Sequence, residues 1–209
     1  MLNKKLLIFA GLFSAISAIF DLLFFIVIFL DRILQNTSSE DSLLMNLIFD
    51  FIDQKLISLI RIAGGIYVLI AFKHLLNKKA SFHHADNYIL IIILLKISNF
   101  VFFYLINFID RSHIINFWKL FSVVDTITNI IFALALLKCK DNFFGFLKPF
   151  ALLTITEGVL LALEVGTFNF TDGYGILTFG LNKATNIIIL MKSVLLAAIF
   201  FKSVEPSQT

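Results

Sequence analysis

Six charged residues stand near the middle of long apolar stretches of this chain, and their side chains are the groups best suited to chemistry. Three are acids and three are bases, and they are Asp21, Arg61, Lys96, Asp125, Glu157 and Lys183. Carboxylates within a membrane can bind cations or relay protons, and a lysine or an arginine can contact an anionic group. A charge at the centre of a bilayer costs roughly 2.5–3.5 kcal/mol, so such groups must face each other or water.

Asparagines extend several of these positions along one face of a helix. Asn99 follows Lys96 by three residues, Asn129 follows Asp125 by four, and Asn186 follows Lys183 by three. Residues with this spacing lie on the same side of an α-helix. Polar faces that meet would form a polar interior or a hydrated cavity. The predicted residues for binding a solute or a proton are therefore Asp21, Arg61, Lys96, Asn99, Asp125, Asn129, Glu157, Lys183 and Asn186.

The composition defines the class of protein that must position these residues. Of 209 residues, 59% are hydrophobic and 15% are charged, and the mean hydropathy is +0.96. Soluble domains carry about a quarter charged residues, so the sequence excludes a soluble globular protein, a disordered chain and a nucleic-acid-binding domain. The single cysteine, Cys139, excludes an intramolecular disulfide, a four-thiolate zinc site and a two-cysteine redox centre.

Six apolar stretches are long enough to cross a bilayer, which takes about 20 helical residues. Their apolar runs are unbroken rather than alternating, which favours helices over the strands of a membrane β-barrel. The sequence therefore predicts an all-α, polytopic integral membrane protein, a bundle of six transmembrane helices in a single domain. The predicted spans are 6–30, 56–75, 88–109, 117–137, 143–165 and 176–201.

The connection between the first two spans, residues 31–55, has its own amphipathic pattern. Leu43, Leu47 and Ile48 share one helical face, whereas Asn46 and Asp50 lie on the other. This pattern predicts an interfacial helix on the outer surface, serving either as a packing cap over the bundle or as a lid over a solute path.

Basic residues in the short connections predict the orientation of the chain. With six spans, one side carries the following: Lys4, Lys5, Lys73, Lys78, Lys79, Lys138, Lys140 and Lys202. The opposite side carries only Arg32, Lys55 and Arg111. Because cytoplasmic loops carry the excess of lysine and arginine, both termini are predicted to be cytoplasmic. Lys148 and Lys192, nearer that side, are expected to extend their amines toward the interface.

Few residues suggest a metal site or an active site. A weak group of possible metal ligands, His74, His83, His84 and Asp86, lies in and beside the second connection, which is too short and polar to imply fixed ligand geometry. The chain has no zinc-protease, nucleophile-elbow or phosphate-loop motif. We therefore expect neither a bound metal nor a cofactor, and an enzyme is the least favoured reading.

Two functions fit the polar residues within the spans. The first is a membrane protein for transport or permeation of a small polar or charged solute or ion. Its acids would bind protons or cations, and its bases would pair with them or contact the solute. The alternative is a non-catalytic membrane subunit or scaffold in which Asp21, Asp125 and Glu157 neutralise Arg61, Lys96 and Lys183 and fix the assembly. The expected partners are the bilayer, a solute, and a second copy or another membrane subunit.

Overall fold

A computed structural model describes residues 4–35, 54–105, 111–140, 145–170 and 176–204. Within these ranges the regular structure is entirely α-helical, so the predicted all-α class is confirmed. The six helices are α1 (Lys4–Gln35), α2 (Gln54–Lys79), α3 (Asp86–Leu105), α4 (Arg111–Leu137), α5 (Leu147–Phe170) and α6 (Ile176–Val204).

Each helix matches one predicted apolar stretch, but several ends differ. Helix α4 begins at Arg111, ahead of its apolar run, because backbone hydrogen bonds rather than apolar side chains define a helix end. Helix α5 begins later than predicted, at Leu147, just after Gly145, whose φ of 86° suits glycine. The predicted interfacial helix falls largely on residues 36–53, outside the described residues.

Four helices are long and apolar enough to cross a membrane, by length and composition, in a search of the described residues. These segments are Lys4–Leu23, Leu59–Lys79, Leu120–Leu137 and Lys183–Val204. Only 22–28% of each segment is buried inside the protein, and side chains such as Phe9 and Leu120 are largely exposed. A contiguous apolar surface of this extent is not compatible with water, which supports a membrane protein.

The helices form a closed ring in which each packs against its neighbours in the chain and α6 returns to α1. The closest packing joins α4, α5, α6 and α1, whereas α2 and α3 contact their neighbours less extensively. The buried core unites the beginnings of α1, α3 and α5 with the ends of α2, α4 and α6. Successive helices therefore run in opposite directions.

Four phenylalanines fill the centre of that core, and we call them the aromatic plug: Phe72, Phe132, Phe150 and Phe200. The ring of Phe72 lies 6.4 Å from that of Phe132, 5.7 Å from that of Phe150 and 6.3 Å from that of Phe200. All four are at least 93% buried. The plug closes the end of the ring that holds the first residues of α1 and the last residues of α6, which we call the plugged end.

Glycines allow close approach where helices meet. A Cβ atom at Gly64 would collide with the ring of Phe13, so α2 needs glycine there to contact α1. A Cβ at Gly158 would lie 2.6 Å from Ile130 Cγ1, where α5 meets α4. Gly65, by contrast, has nothing within 4 Å of such an atom. Small residues at helix contacts are typical of membrane bundles.

Candidate functional site

The charged residues continue the same helix faces that form the buried core. Lys96 follows the buried Ile89 by seven residues, and Asp125 precedes the buried Phe132 by seven. Seven residues are close to two helical turns, so these positions share a face. The polar side chains of α3 and α4 therefore lie toward the interior of the ring, beyond the plug.

The same register holds on the other helices. Arg61 precedes the buried Val68 by seven residues, and Glu157 follows the buried Phe150 by seven. Counted along the helices at 1.5 Å per residue, Lys96, Asp125 and Glu157 lie about 15–18 Å from the plugged end. Arg61 lies farther out, at about 27 Å. The interior of the ring thus changes from aromatic to charged within about two turns.

Asp21 and Arg61 form an ion pair between α1 and α2. Arg61 Nη2 donates to Asp21 Oδ1 at 2.9 Å, and the side chains are 54% exposed for Arg61 and 23% exposed for Asp21. This pair lies farther from the plugged end than Lys96, Asp125 and Glu157 do. More than half of the Arg61 side chain is therefore accessible from outside the described helices.

Glu157 on α5 pairs with Lys192 on α6, through a hydrogen bond from Lys192 Nζ to Glu157 Oε2. The two side chains are only 17% and 19% exposed. Lys192 Nζ also lies 5.8 Å from the centroid of the Phe150 ring, within the range of a cation–π contact. The expectation that Lys192 extends to the interface is therefore wrong, and Lys192 rather than Lys183 neutralises Glu157.

Counting residues from the plugged end would have found this partner. Glu157 lies ten residues from the first residue of α5, and Lys192 lies twelve from the last residue of α6. Since the two helices run in opposite directions, these positions are at nearly the same depth. Lys183 lies about 14 Å farther from the plugged end than Lys192 does. We call Lys96, Asp125, Glu157 and Lys192 the charged layer.

Lys96 and Asp125 line a cleft between α3 and α4 with a volume of about 150 Å³. Its six lining residues are Leu95, Lys96, Asn99, Phe121, Ser122 and Asp125. Lys96 and Asn99 are exposed, and Asp125 is half-buried. Among the described residues, Asp125 interacts electrostatically with Lys96, Glu157 and Lys192, so the charged layer acts on one carboxylate.

Asn129, one helical turn after Asp125 on α4, holds the Asp125 side chain in place. Its Nδ2 donates to the backbone oxygen of Asp125 at 2.8 Å and to Asp125 Oδ1 at 3.1 Å. The predicted pair of Asp125 and Asn129 is therefore brought together, with the amide as a donor to the acid. Such a donor orients the carboxylate toward the cleft and occupies only one of its oxygens.

The remaining predicted residues lie elsewhere. Lys183 is half-buried and Asn186 is exposed near the beginning of α6, and neither lines the cleft beside Asp125. The buried hydroxyls of Ser14 and Thr154 donate to backbone oxygens four residues earlier in their own helices, at 2.9 Å each. These hydroxyls are satisfied within their own helices.

The possible metal ligands at the plugged end serve other contacts. Asp86 accepts two hydrogen bonds of 2.9 Å from Asn77 Nδ2, and its Oδ2 lies 3.6 Å from His83 Nδ1. His84 packs against the Phe82 ring, and His74 Nε2 is buried without a hydrogen-bond partner. The described residues contain no group of three or more ligands able to hold a metal ion.

Comparison of the chain with protein-family models, with curated proteins and with solved structures finds no match. The function is therefore argued from the geometry of the ring. That geometry combines a sealed plugged end, a layer of charges beyond it, and a polar cleft beside an acid and a base.

Proposed function

We propose that all six helices cross the membrane and that both termini are cytoplasmic. Helices α2 and α4 are both candidate spans, and both end at the plugged end. The chain between them must return through the membrane, and α3 is the segment that does so. The same argument applies to α5, which lies between α4 and α6. At 1.5 Å per residue α3 and α5 are about 30 and 36 Å long, enough for the hydrocarbon core.

The orientation follows from the basic residues. The plugged end carries lysines such as Lys4, Lys78, Lys138 and Lys202 in or beside its connections and termini. Under the positive-inside rule this excess supports a cytoplasmic position for that end. Tags added to both termini should react with impermeant reagents only from the cytoplasmic face. A C-terminus accessible from outside would contradict the six-span arrangement. The amphipathic helix between the first two spans remains a prediction from sequence.

Within this arrangement, we propose that the protein transports a small polar or charged solute or ion. The observation that carries the proposal is the position of the charged layer on inward faces, beyond a plug that closes the cytoplasmic end. Four charges at mid-depth would be costly in contact with lipid, and a hydrated path accommodates them. The layer and cleft would receive solute from the outer side, and the plug would have to open for release.

Lys192 gives a physical link between the two parts. It contacts both Glu157 and the ring of Phe150. A change in the ion pair would therefore alter a contact with one ring of the aromatic plug. A solute that binds more tightly to the open form than to the closed form would shift the protein toward release. Asp125 and Glu157 would be the groups that bind a proton or a cation during this cycle.

Flux across reconstituted vesicles tests the proposal. Labelled cations, anions, amino acids and sugars would be added separately outside the vesicles, and uptake would be compared with that of protein-free vesicles. We expect saturable flux of one solute class, lost in Asp125→Asn and in Lys96→Met while both variants keep their helical circular dichroism. Lys140→Met at the plugged end is a control that removes the same charge away from the layer. Flux equal to that of empty vesicles for every class would contradict transport.

The second candidate is a scaffold whose charges specify assembly. It is favoured by the direct ion pairs Asp21–Arg61 and Glu157–Lys192, since paired charges can fix the register of helices. In that case the double variant Glu157→Gln with Lys192→Met would restore a stability that each single change lowers, and no variant would alter any flux. Transport predicts instead that flux depends on the charges even when stability is restored.

A further inference from the structure

Three of the acid–base combinations between described helices are not equivalent. Each joins the two helices of one hairpin, but only two are ion pairs, Asp21–Arg61 and Glu157–Lys192. The third combination, Lys96 and Asp125, lines a single cleft without an ion pair between the two side chains. The amine and the carboxylate act on each other electrostatically but stand more than 4 Å apart, the limit for an ion pair.

The surroundings of this combination leave both charges available. Glu157 and Lys192 form an ion pair with each other, and they act on Asp125 electrostatically without forming an ion pair with it. Asn129 occupies only Oδ1 of the Asp125 carboxylate. Within the described part of the chain, no residue accepts a hydrogen bond from Lys96 Nζ or donates one to Asp125 Oδ2. Asn99 and Ser122 add an amide and a hydroxyl to the same cleft.

We propose that this cleft binds a small zwitterion, the ammonium of which contacts Asp125 and the carboxylate of which contacts Lys96. A cation alone would satisfy Asp125 and leave Lys96 uncompensated at mid-depth, and an anion alone would do the opposite. A molecule carrying both charges satisfies both residues and brings no net charge into the membrane. The side chains of Asn99 and Ser122 would add hydrogen bonds to the carboxylate.

The size of the cleft favours the smallest amino acids as ligands. A cavity of about 150 Å³ holds a molecule such as benzene, with six heavy atoms. Glycine and alanine are of that size, whereas leucine is substantially larger. Leu95 and Phe121 supply an apolar wall suited to a hydrogen or a methyl group. This inference names the solute class for the proposed transport function and rests on that function, but binding can be tested separately.

Equilibrium binding of radiolabelled alanine to the purified full-length protein in nanodiscs tests the inference. We expect saturable binding that glycine displaces. Propionate, which lacks the ammonium, and ethylammonium, which lacks the carboxylate, should each compete at least tenfold more weakly, and so should leucine. Equal competition by propionate or by ethylammonium would overturn the zwitterion in favour of a site for one charge.

Variants locate the site. Lys96→Met and Asp125→Asn should each weaken alanine binding at least tenfold, and Lys140→Met should leave it unchanged. Should either single variant fail to fold, the exchange Lys96→Asp with Asp125→Lys keeps both charges in the cleft in reversed order. The exchanged protein should still bind alanine, within tenfold of the wild type. Unchanged binding in a folded Lys96→Met variant, or complete loss in a folded exchange variant, would overturn the assignment.

The two proposals fail in different ways. Alanine binding that depends on Lys96 and Asp125, without uptake into vesicles, would support the binding site and contradict transport. Saturable uptake of another solute class, without alanine binding, would support transport and overturn the zwitterion. The absence of both would overturn both.

Discussion

The plugged end and the charged layer use successive turns of helices α3, α4, α5 and α6 for opposite purposes. At the plugged end Phe72 contacts three other rings and the interior is closed. Two turns farther along, these helices carry Lys96, Asp125 and Glu157. Within a membrane no hydrophobic effect draws helices together, so stability comes from close packing and from polar contacts. The comparison teaches that aromatic packing holds one end of the ring, whereas polar and charged contacts replace it two turns farther along.

The largest expected effect comes from removing the centre of the plug. Phe72→Ala should lower the free energy of unfolding by about 3–5 kcal/mol, because it leaves a cavity beside three aromatic rings. Titration with denaturant in detergent measures the loss. Phe9→Ala is the matched control, since the Phe9 side chain is 61% exposed on the outer face of α1. Equal losses in the two variants would show that the plug is not the packed core of the ring.

The next effect concerns the buried ion pair of the charged layer. Lys192→Met should destabilise the protein by about 3 kcal/mol, since Glu157 would lose its partner in a largely buried position. Adding Glu157→Gln should recover most of that loss, because two neutral side chains need no compensation. The same titration measures both. A double variant no better than the single one would mean that Lys192 acts through Phe150 alone.

A smaller effect distinguishes two neighbouring glycines in the looser part of the ring. Gly64→Ala should cost about 1–3 kcal/mol, because the added methyl group displaces the ring of Phe13. Gly65→Ala meets nothing within 4 Å and should gain up to about 1 kcal/mol from helix propensity. Thermal unfolding followed by circular dichroism ranks the two variants. A reversed order would place the contact between α1 and α2 in a different register.

The smallest effect is expected at the outer ion pair. Arg61→Met should change the stability in detergent by about 1 kcal/mol or less, because the Arg61 side chain is 54% exposed and exposed pairs contribute little. The measurement is again denaturant titration, beside Lys192→Met. A loss as large as that of Lys192→Met would show that the ring is sealed at the outer pair as well, and the contrast between its two ends would disappear.

The number and type of helices could be predicted because long apolar stretches interrupted by polar connections are a strong signal. The inward direction of the charges follows from helical phase in the same way, as Lys96 with Asn99 and Asp125 with Asn129 illustrate. Helical phase does not predict how two helices are shifted relative to each other along their axes. The predicted fifth span, 143–165, placed Glu157 on the outer side of its centre, whereas α5 at Leu147–Phe170 places it slightly toward the plug. That shift brings Glu157 to the height of Lys192.

The plug was not predictable for a related reason. The chain has 26 phenylalanines, and nothing local distinguishes the buried Phe72 from the exposed Phe9. Only the register between α2, α4, α5 and α6 selects the four rings that meet. The cleft of Lys96 and Asp125 likewise depends on how α3 and α4 are spaced, which composition and periodicity do not report.

The closure of the ring by α1 and α6 has a consequence for how the protein is made. Roughly 140 residues separate the end of α1 from the beginning of α6, so at about 5–20 residues per second α1 waits roughly 7–28 s for its principal neighbour. During that time the growing protein is an open arc. In the proposed six-span arrangement each hairpin has an acid and a base at similar height, so these charges can compensate each other when the two helices leave the insertion machinery. The pairing within hairpins thus lowers the free-energy cost of each insertion step, before the complete ring can bury the charges.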